Sequence, residues 1–244
     1  MNPVTQTIQN HASVRKYQDD SIDHATISAM VASAQHAATS HFVQAYSVIH
    51  VTDPEIKQQL AALSGNRHVA TSGAFLVFCA DLKRLAYACA AHDAAIESTT
   101  TENTIVATVD VALLAQNFAL VAEAAGYGIC YIGGIRNQPE AVSTLLHIPD
   151  QVYPVFGMAV GVPAEANAVK PRLPVAAVLH ENGYSEAGYP EQLRQYDEVM
   201  RAYYQSRGSN QKMLTWTESM AAFMAKKQRP HMQAFLHSKG WCLD

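Results

Sequence analysis

Signatures of metal sites, disulfide scaffolds and hydrolases are scarce in this 244-residue chain. Its four cysteines form no C-x-x-C pair and are too few for a disulfide framework, so we expect reduced thiols. The eleven histidines include no H-E-x-x-H arrangement, and no metal site is predicted. G-x-S-x-G is also absent, and spacing identifies no nucleophile with a base. If the chain is an enzyme, these absences favour a cofactor that carries the reaction.

Signals for secretion, membranes and nucleic acids are equally weak. The first residues lack the basic, apolar and small-residue order of a signal peptide, which predicts a cytoplasmic protein. The most apolar segment, 105–125, contains Asp110 and Glu123, which are costly in lipid, so it predicts a buried helix and no membrane partner. A pI of about 6.2 without a basic-aromatic motif predicts no nucleic-acid partner.

No G-x-G-x-x-G fingerprint or P-loop is present, so neither standard helix-terminus phosphate site is predicted.

Acidic residues are also scarce at the end of the chain. Residues 201–244 hold seven Lys or Arg against two acids, a local charge of +5, although the whole chain carries −4. This excess fits an anionic small molecule or an acidic partner, and a solvated surface explains it equally well.

Strand and helix patterns alternate as far as residue 161, and helices dominate afterwards. Strands are predicted at 45–52, 73–81, 128–135, 152–161 and 175–181. Helices are predicted at 23–38, 53–65, 104–125, 139–148, 190–208, 215–227 and 230–240. Asp53 and Gly65 mark the ends of one helix, and Thr215 with Glu218 forms a capping box for another.

The stretch "HASVRKYQDDSI" places His11, Ser13 and Arg15 at alternate positions. In an extended segment such side chains share one face, where a ring N–H, a hydroxyl and a guanidinium match the acceptors of a phosphate. A turn before a helix, with a serine cap and a surface arginine, is the simpler reading of these residues alone.

Two later motifs suit the same kind of ligand. "KPRLP" holds Lys170 and Arg172 on a proline-stiffened segment, although a solvated connector is the simpler reading. "YIGGIRN" puts Gly133 and Gly134 at a strand end, where the missing Cβ atoms admit a flat ligand or allow a tight turn.

Taken in order, these motifs and the tail "YYQSRGSNQKMLTW" resemble the oxygen-insensitive NADPH nitroreductases and flavin reductases of the FMN-dependent nitroreductase superfamily. The resemblance implies an α+β fold with a central, mostly antiparallel sheet flanked by helices. It implies one domain over 1–244 and an intertwined homodimer that binds FMN between subunits. A helical C-terminal extension, about 184–244, would wrap the partner.

The resemblance also implies residue roles for FMN. His11, Ser13, Lys170 and Arg172 would hold the phosphate. Arg15 would lie near N1 and O2 of the pyrimidine end, where reduction leaves negative charge that a guanidinium stabilises.

Around the flavin ring, the resemblance places a backbone N–H of Gly133 or Gly134 opposite N5. The residues lining or flanking the isoalloxazine would be Tyr131, Ile132, Ser40, His41 and Phe42. Arg229 would overhang the substrate cavity. Arg207 and Lys212 would meet the 2′-phosphate of NADPH, which accounts for the basic tail.

The sequence departs from the family pattern in three places. Ala12 stands where an arginine is frequent, which removes one phosphate or ribityl contact. Lys212 and Met213 replace a pair of arginines, which weakens the expected preference for NADPH over NADH. His41 replaces a common serine, which alters the acceptors that fit above the flavin.

The implied reaction is ping-pong: NADPH reduces FMN by hydride transfer, and a nitroaromatic, quinone or free flavin then takes two electrons. No side chain need act as an acid, since water can supply protons. A dedicated flavin reductase and a flavin-binding protein without turnover are the alternatives.

Overall fold

A computed structural model of the chain describes residues 2–206 and 214–241. These residues form two compact units. The first comprises the described parts of Met1–Asn167 and Arg229–Asp244, and the second comprises those of Ala168–Gln228.

The first unit is built on one four-stranded sheet. Its strands are β1 (Tyr46–Val51), β2 (Ala74–Asp81), β3 (Gly128–Ile132) and β4 (Val152–Gly161), in the spatial order β1-β2-β4-β3. Every neighbouring pair is antiparallel, and all eight residues of β2 are buried. This confirms the predicted α+β class with a central antiparallel sheet.

Nine helices are found among the described residues. They are α1 (Pro3–Asn10), α2 (His24–Ala34), α3 (Pro54–Ser64), α4 (Lys83–Ala90), α5 (Thr101–Ala124), α6 (Pro139–Leu145), α7 (Tyr189–Gln205), α8 (Trp216–Met224) and α9 (Met232–Ser238). Asp53 caps α3 through the N–H groups of Glu55 and Ile56, and the predicted capping box of Thr215 is present.

The sequence patterns predict neither α1 nor α4. The signal for α1 was present, because the side chain of Asn2 accepts from the N–H of Thr5 and a proline follows Asn2. The N-cap of α4 is Leu82, and Oδ1 of the preceding Asp81 accepts from the N–H groups of Lys83 and Arg84. Asp81 is also the last residue of β2. The sequence pattern assigned it to a strand, so the start of α4 was not predicted from it.

Two strand predictions need correction. The predicted strand 128–135 ends at Ile132, opposite Gly157, and the chain continues as a 3₁₀ helix over Gly133–Asn137. The predicted strand 175–181 is wrong, because Val175–Ala177 is a 3₁₀ helix. The segment pairs with none of the four strands of the sheet. Because β propensity depends on packing against neighbouring strands, its apolar residues do not form a strand by themselves.

Side chains alternate between the two faces of β2 and so divide the core. Leu76 and Phe78 pack with α2 and α5, whereas Phe75 and Val77 pack with α3 and α6. Phe78 meets Phe118 of α5 edge to face, with the ring centroids 5.9 Å apart. α5 is therefore a core helix.

α5 is also the one described helix that is long and apolar enough to cross a membrane by length and composition. One face of it is buried against the sheet and carries Asp110. Such a buried helix is typical of a packed protein core.

The second unit has its own small core. Tyr196, Met200 and Tyr204 on one face of α7 are buried and pack with Leu173 and Trp216.

Candidate functional site

The opening polar segment runs beside β3. The N–H of Val14 donates to the carbonyl oxygen of Ile129 at 2.9 Å, and the hydroxyl of Tyr17 donates to the carbonyl oxygens of Val14 and Ala159 at 2.7 and 3.2 Å. A Cβ at Gly128 would lie 2.4 Å from Val14 Cγ2, so only glycine permits this approach. Backbone bonds and close packing thus hold the segment in place.

Side chains of this segment differ in exposure. Val14 is buried, whereas Ser13 is half-buried and Arg15 is exposed. Ser13 and Arg15 are thus less buried than the residue between them, as the phosphate hypothesis requires of side chains that contact a ligand.

His11 has a partner that the sequence did not indicate. Its Nδ1 lies 2.6 Å from Oε1 of Glu123, near the end of α5. Donation from Nδ1 to this carboxylate orients the ring and leaves Nε2 as the nitrogen that a ligand can contact. The two residues are 112 positions apart, so only the fold could join them.

Arg15 brings positive charge to the same edge of the sheet. Burial raises the pKa of the Cys130 thiol, and the Arg15 charge opposes that rise. Burial and, to a smaller extent, Arg15 lower the pKa of His68. Arg15 forms no ion pair with the residues in 2–206 and 214–241. Its guanidinium is therefore available to an anionic group.

The two predicted glycines have different surroundings. A Cβ at Gly134 would lie 2.2 Å from the carbonyl oxygen of Ser64 and 2.6 Å from Asn66 Nδ2. A Cβ at Gly133 would meet nothing closer than Arg136 Nη2, at 3.6 Å. Packing against the end of α3 thus explains Gly134, whereas the backbone at Gly133 is open to a flat ligand.

Tyr131 precedes these glycines and is partly exposed. Its ring packs edge-on against Phe156 with the centroids 5.1 Å apart, and its hydroxyl donates to Gln116 Oε1 at 3.4 Å. Burial and the nearby Glu123 carboxylate raise the pKa of Tyr131. The ring is therefore fixed against β4 as a neutral phenol.

Arg229 contacts the last residue of the 3₁₀ helix Gly133–Asn137. Its Nε donates to Asn137 Oδ1 at 3.0 Å, and the ring nitrogen Nε2 of His231 donates to the carbonyl oxygen of Arg136 at 2.9 Å. Burial and the charge of Arg229 lower the pKa of Arg136. The structure thus brings Arg229 to the segment that contains Gly133 and Gly134.

The predicted ring-flanking residues form a 3₁₀ turn, Ser40–Phe42, between α2 and β1. Ser40, His41 and Phe42 are all exposed. The turn is attached to α5 by Asp110, whose Oδ2 accepts from Thr39 Oγ1 at 2.6 Å. No functional role was predicted for Asp110.

The remaining predicted cations belong to the second unit or lie outside the described residues. Lys170 and Arg172 are exposed, and Arg172 Nη1 donates to the carbonyl oxygen of Lys170 at 2.5 Å. The Lys170 ammonium lies 5.7 Å from the centroid of the Tyr204 ring. Arg207 and Lys212 fall in the gap between the two described ranges.

Comparisons with known proteins give the family. Residues 8–162 match the model of the nitroreductase family, and residues 170–244 match that of the nitroreductase family C-terminal domain. A Cr(VI) reductase of Pseudomonas sp. (strain G-1) is 52% identical, with 98% of each chain covered. An FMN reductase (NADPH) of Bacillus subtilis (strain 168) is 42% identical, with 99% of each covered.

A solved structure agrees with these sequence relatives. The NfrA1 nitroreductase from B. subtilis superposes with a TM-score of 0.93 at 41% identity, and 98% of each chain is covered. Both the sequence and the fold are thus matched along nearly the whole chain, which belongs to the nitroreductase family.

Proposed function

We propose that the chain is an FMN-dependent NADPH oxidoreductase that transfers two electrons to nitroaromatics, quinones or free flavin. The observation that carries this proposal is the exposed guanidinium of Arg15, which has no ion pair among the described residues and lies beside β3, the strand that leads to the open backbone of Gly133. The names of the relatives support the choice of FMN and NADPH. FMN, when bound, supplies the electron-transfer chemistry.

The donor chemistry of the first unit fits that cofactor. Arg15 would stabilise the negative charge that develops at the pyrimidine end, and an N–H of the open Gly133 segment would face the ring. His11, oriented by Glu123, and Ser13 would bind the phosphate. These residues bind and orient, and no side chain is required as an acid.

The family resemblance also assigns Lys170 and Arg172 to the FMN phosphate. Both are exposed cations, and a phosphate would neutralise them together. Replacing both with Ala should therefore give largely apo protein, with FMN affinity lowered about 100-fold. Absorbance of the purified variant against protein concentration measures this. Full cofactor occupancy would contradict the assignment, and the exposed pair Lys226→Ala and Lys227→Ala is the charge-matched control.

NADPH recognition is assigned to the basic tail, through Arg207 and Lys212. The assignment rests on the family resemblance and on the excess of positive charge there. Arg229, hydrogen-bonded to Asn137, would overhang the acceptor.

A homodimer is part of this proposal. α5 exposes Ile105, Val109 and Leu113, four residues apart, at 52%, 49% and 41%. An apolar stripe on a core helix is typical of a surface covered by another chain. The segment 184–244 would wrap the partner. We also expect a cytoplasmic location.

The dimer can be tested at this stripe. Val109→Glu places a charge in the proposed interface, whereas Glu102→Gln on the same helix changes an exposed charge at its first turn. We expect the first variant alone to shift the mass measured by light scattering toward the monomer. An unchanged dimer mass for Val109→Glu would contradict the interface.

The experiment that tests the activity uses the purified protein without oxygen. NADPH should bleach the visible absorbance of the bound flavin, and a nitrofuran should restore it. Failure to bleach would favour a flavin-binding protein without turnover. Comparing kcat/KM for free FMN and for the nitrofuran at equal NADPH separates the two enzymes, since a strong preference for free FMN identifies a dedicated flavin reductase.

Chromate is a second candidate acceptor, favoured by the 52% identity to a Cr(VI) reductase. As an anion it would be attracted by the cationic side chains of Arg15 and Arg229. Chromate-dependent NADPH oxidation tests this, and a rate equal to that without chromate would contradict it.

A further inference from the structure

The loop at positions 39–45 has an unfavourable backbone. His41, Phe42 and Gln44 have φ angles of +47°, +59° and +50°, in the left-handed region that side chains disfavour. Three such residues within four positions do not persist unless surrounding contacts determine them. The loop therefore depends on what holds it.

A single buried carboxylate bonds to both ends of the loop, in addition to the loop's own backbone bonds and a bond from Arg84 Nη1 to the carbonyl oxygen of Gln44 at 3.3 Å. Asp110 of α5 is 1% exposed. Its Oδ2 accepts from Thr39 Oγ1 at 2.6 Å and from the N–H of Ala45 at 3.0 Å, and its Oδ1 accepts from the N–H of Ser40 at 3.4 Å. Asp110 thus binds both ends of the loop, which closes it into a fixed arch.

Thr39 extends this restraint into the strained part of the loop. Its Oγ1, which donates to Asp110, also accepts from the N–H of Gln44 at 2.9 Å. The relay from Asp110 through Thr39 to Gln44 fixes one of the left-handed residues directly. Such linked bonds to a buried charged group are stronger than isolated ones.

The arch holds a large apolar side chain in solvent. Phe42 is 78% exposed, in the middle of the loop. A relaxed loop would let this ring turn toward apolar neighbours, because exposure of so much apolar surface is unfavourable. A buried anchor beneath a strained loop and an outward aromatic ring together are typical of a ligand-contacting element.

We propose that Asp110 is a positioning residue, which fixes the 39–45 loop so that Phe42 packs on a flat aromatic electron acceptor. The proposal rests on the proposed function for the existence of that acceptor. Asp110 itself would touch neither cofactor nor acceptor, and it would act through Thr39 and the loop backbone.

The test is a double-mutant cycle on the FMN-loaded protein with a nitroaromatic acceptor. Asp110→Asn retains only one acceptor oxygen for three donors, so the arch should loosen and kcat/KM for the acceptor should fall about tenfold. Phe42→Ala should cause a similar fall. The kcat/KM of the double variant should be no lower than that of Phe42→Ala alone. Once Phe42 is absent, loosening the loop no longer changes the position of a side chain that contacts the acceptor.

Two further comparisons separate positioning from general destabilisation. Thr39→Val removes the relay and should reproduce Asp110→Asn, whereas Thr39→Ser keeps the hydroxyl and should retain the parent kcat/KM. The control is Asn117→Ala on the same helix, which removes the bond from Asn117 Nδ2 to the carbonyl oxygen of Ala34 at 3.5 Å, outside the loop. It should leave the acceptor kinetics unchanged.

The proposal is overturned if the losses of Asp110→Asn and Phe42→Ala multiply, or if Asp110→Asn lowers the melting temperature without changing acceptor kcat/KM. If Asp110→Asn does not fold, the Thr39 pair decides, because equal kinetics in Thr39→Val and Thr39→Ser overturn it. Flavin bleaching by NADPH in the parent protein is measured first, and its absence counts against the proposed function and not against the loop.

Discussion

The segment 11–15 and the loop 39–45 carry predicted flavin contacts, but the fold holds them in different ways. The first is hydrogen-bonded to β3 and packed against Gly128, with no left-handed residue. The second has three left-handed residues, and Asp110 holds it. The first segment is restrained by close packing and a backbone bond to its neighbouring strand, whereas the two ends of the second are joined through one buried side chain, so loss of a single carboxylate should affect the second more.

The largest effect on stability is expected at Gly134, where the chain packs most closely against the end of α3. Gly134→Ala places a Cβ within 2.2 Å of the carbonyl oxygen of Ser64, so backbone must move. We expect the free energy of unfolding to fall by about 3 kcal/mol. Gly133→Ala is the matched control, because its Cβ meets nothing closer than 3.6 Å. Urea denaturation measures both, and equal losses would mean that the contact with α3 does not account for Gly134.

An intermediate effect is expected at the bond that ties the opening segment to the sheet. Tyr17→Phe removes a hydroxyl that donates to the carbonyl oxygens of Val14 and Ala159. The loss should be about 1 to 2 kcal/mol in unfolding free energy, since two buried acceptors lose their donor. Tyr127→Phe is the control, because no hydrogen bond of that hydroxyl is found among the described residues. A Tyr17 effect no greater than the control would argue that backbone bonds alone hold the segment.

The smallest effect on stability is expected in the loop. Phe42 is exposed, so Phe42→Ala should change the free energy of unfolding by less than about 0.5 kcal/mol. Its effect on the acceptor reaction should be large by comparison. Chemical denaturation and steady-state kinetics on the same preparation test this contrast. A stability loss comparable to that of Tyr17→Phe would remove the distinction between the two regions.

Local signals predicted much of the fold. The strand 152–161 matches β4 at both ends, because its apolar run is bounded by turn residues and is buried except at the half-buried Phe156. Asp53 and Gly65 end α3 as predicted, since both act through neighbouring backbone groups, and Gly65 has the left-handed conformation expected of a helix terminus. Where a signal and its effect lie within one turn, sequence reading suffices.

Sequence patterns did not predict features that depend on distant partners. The apolar residues at 175–181 predicted a strand, yet the ladder holds no place for them. Residues on the opening segment predicted an anion site, but nothing indicated that Glu123 orients His11. Asp110 was read only as a polar interruption of an apolar helix, although it anchors a loop that begins 71 positions earlier.

By itself, the sequence determined the positions of most strands and helices, the ends of several helices and, through its motifs in order, a family resemblance that implied the antiparallel α+β fold. These depend on periodicity, caps and residue order, which act over short distances. Only the tertiary structure decided which carboxylates serve His11 and Thr39 and which glycine is needed for packing. Those pairings depend on which faces of α3 and α5 meet the rest of the chain, and burial then makes each unpaired polar group costly enough to select its partner.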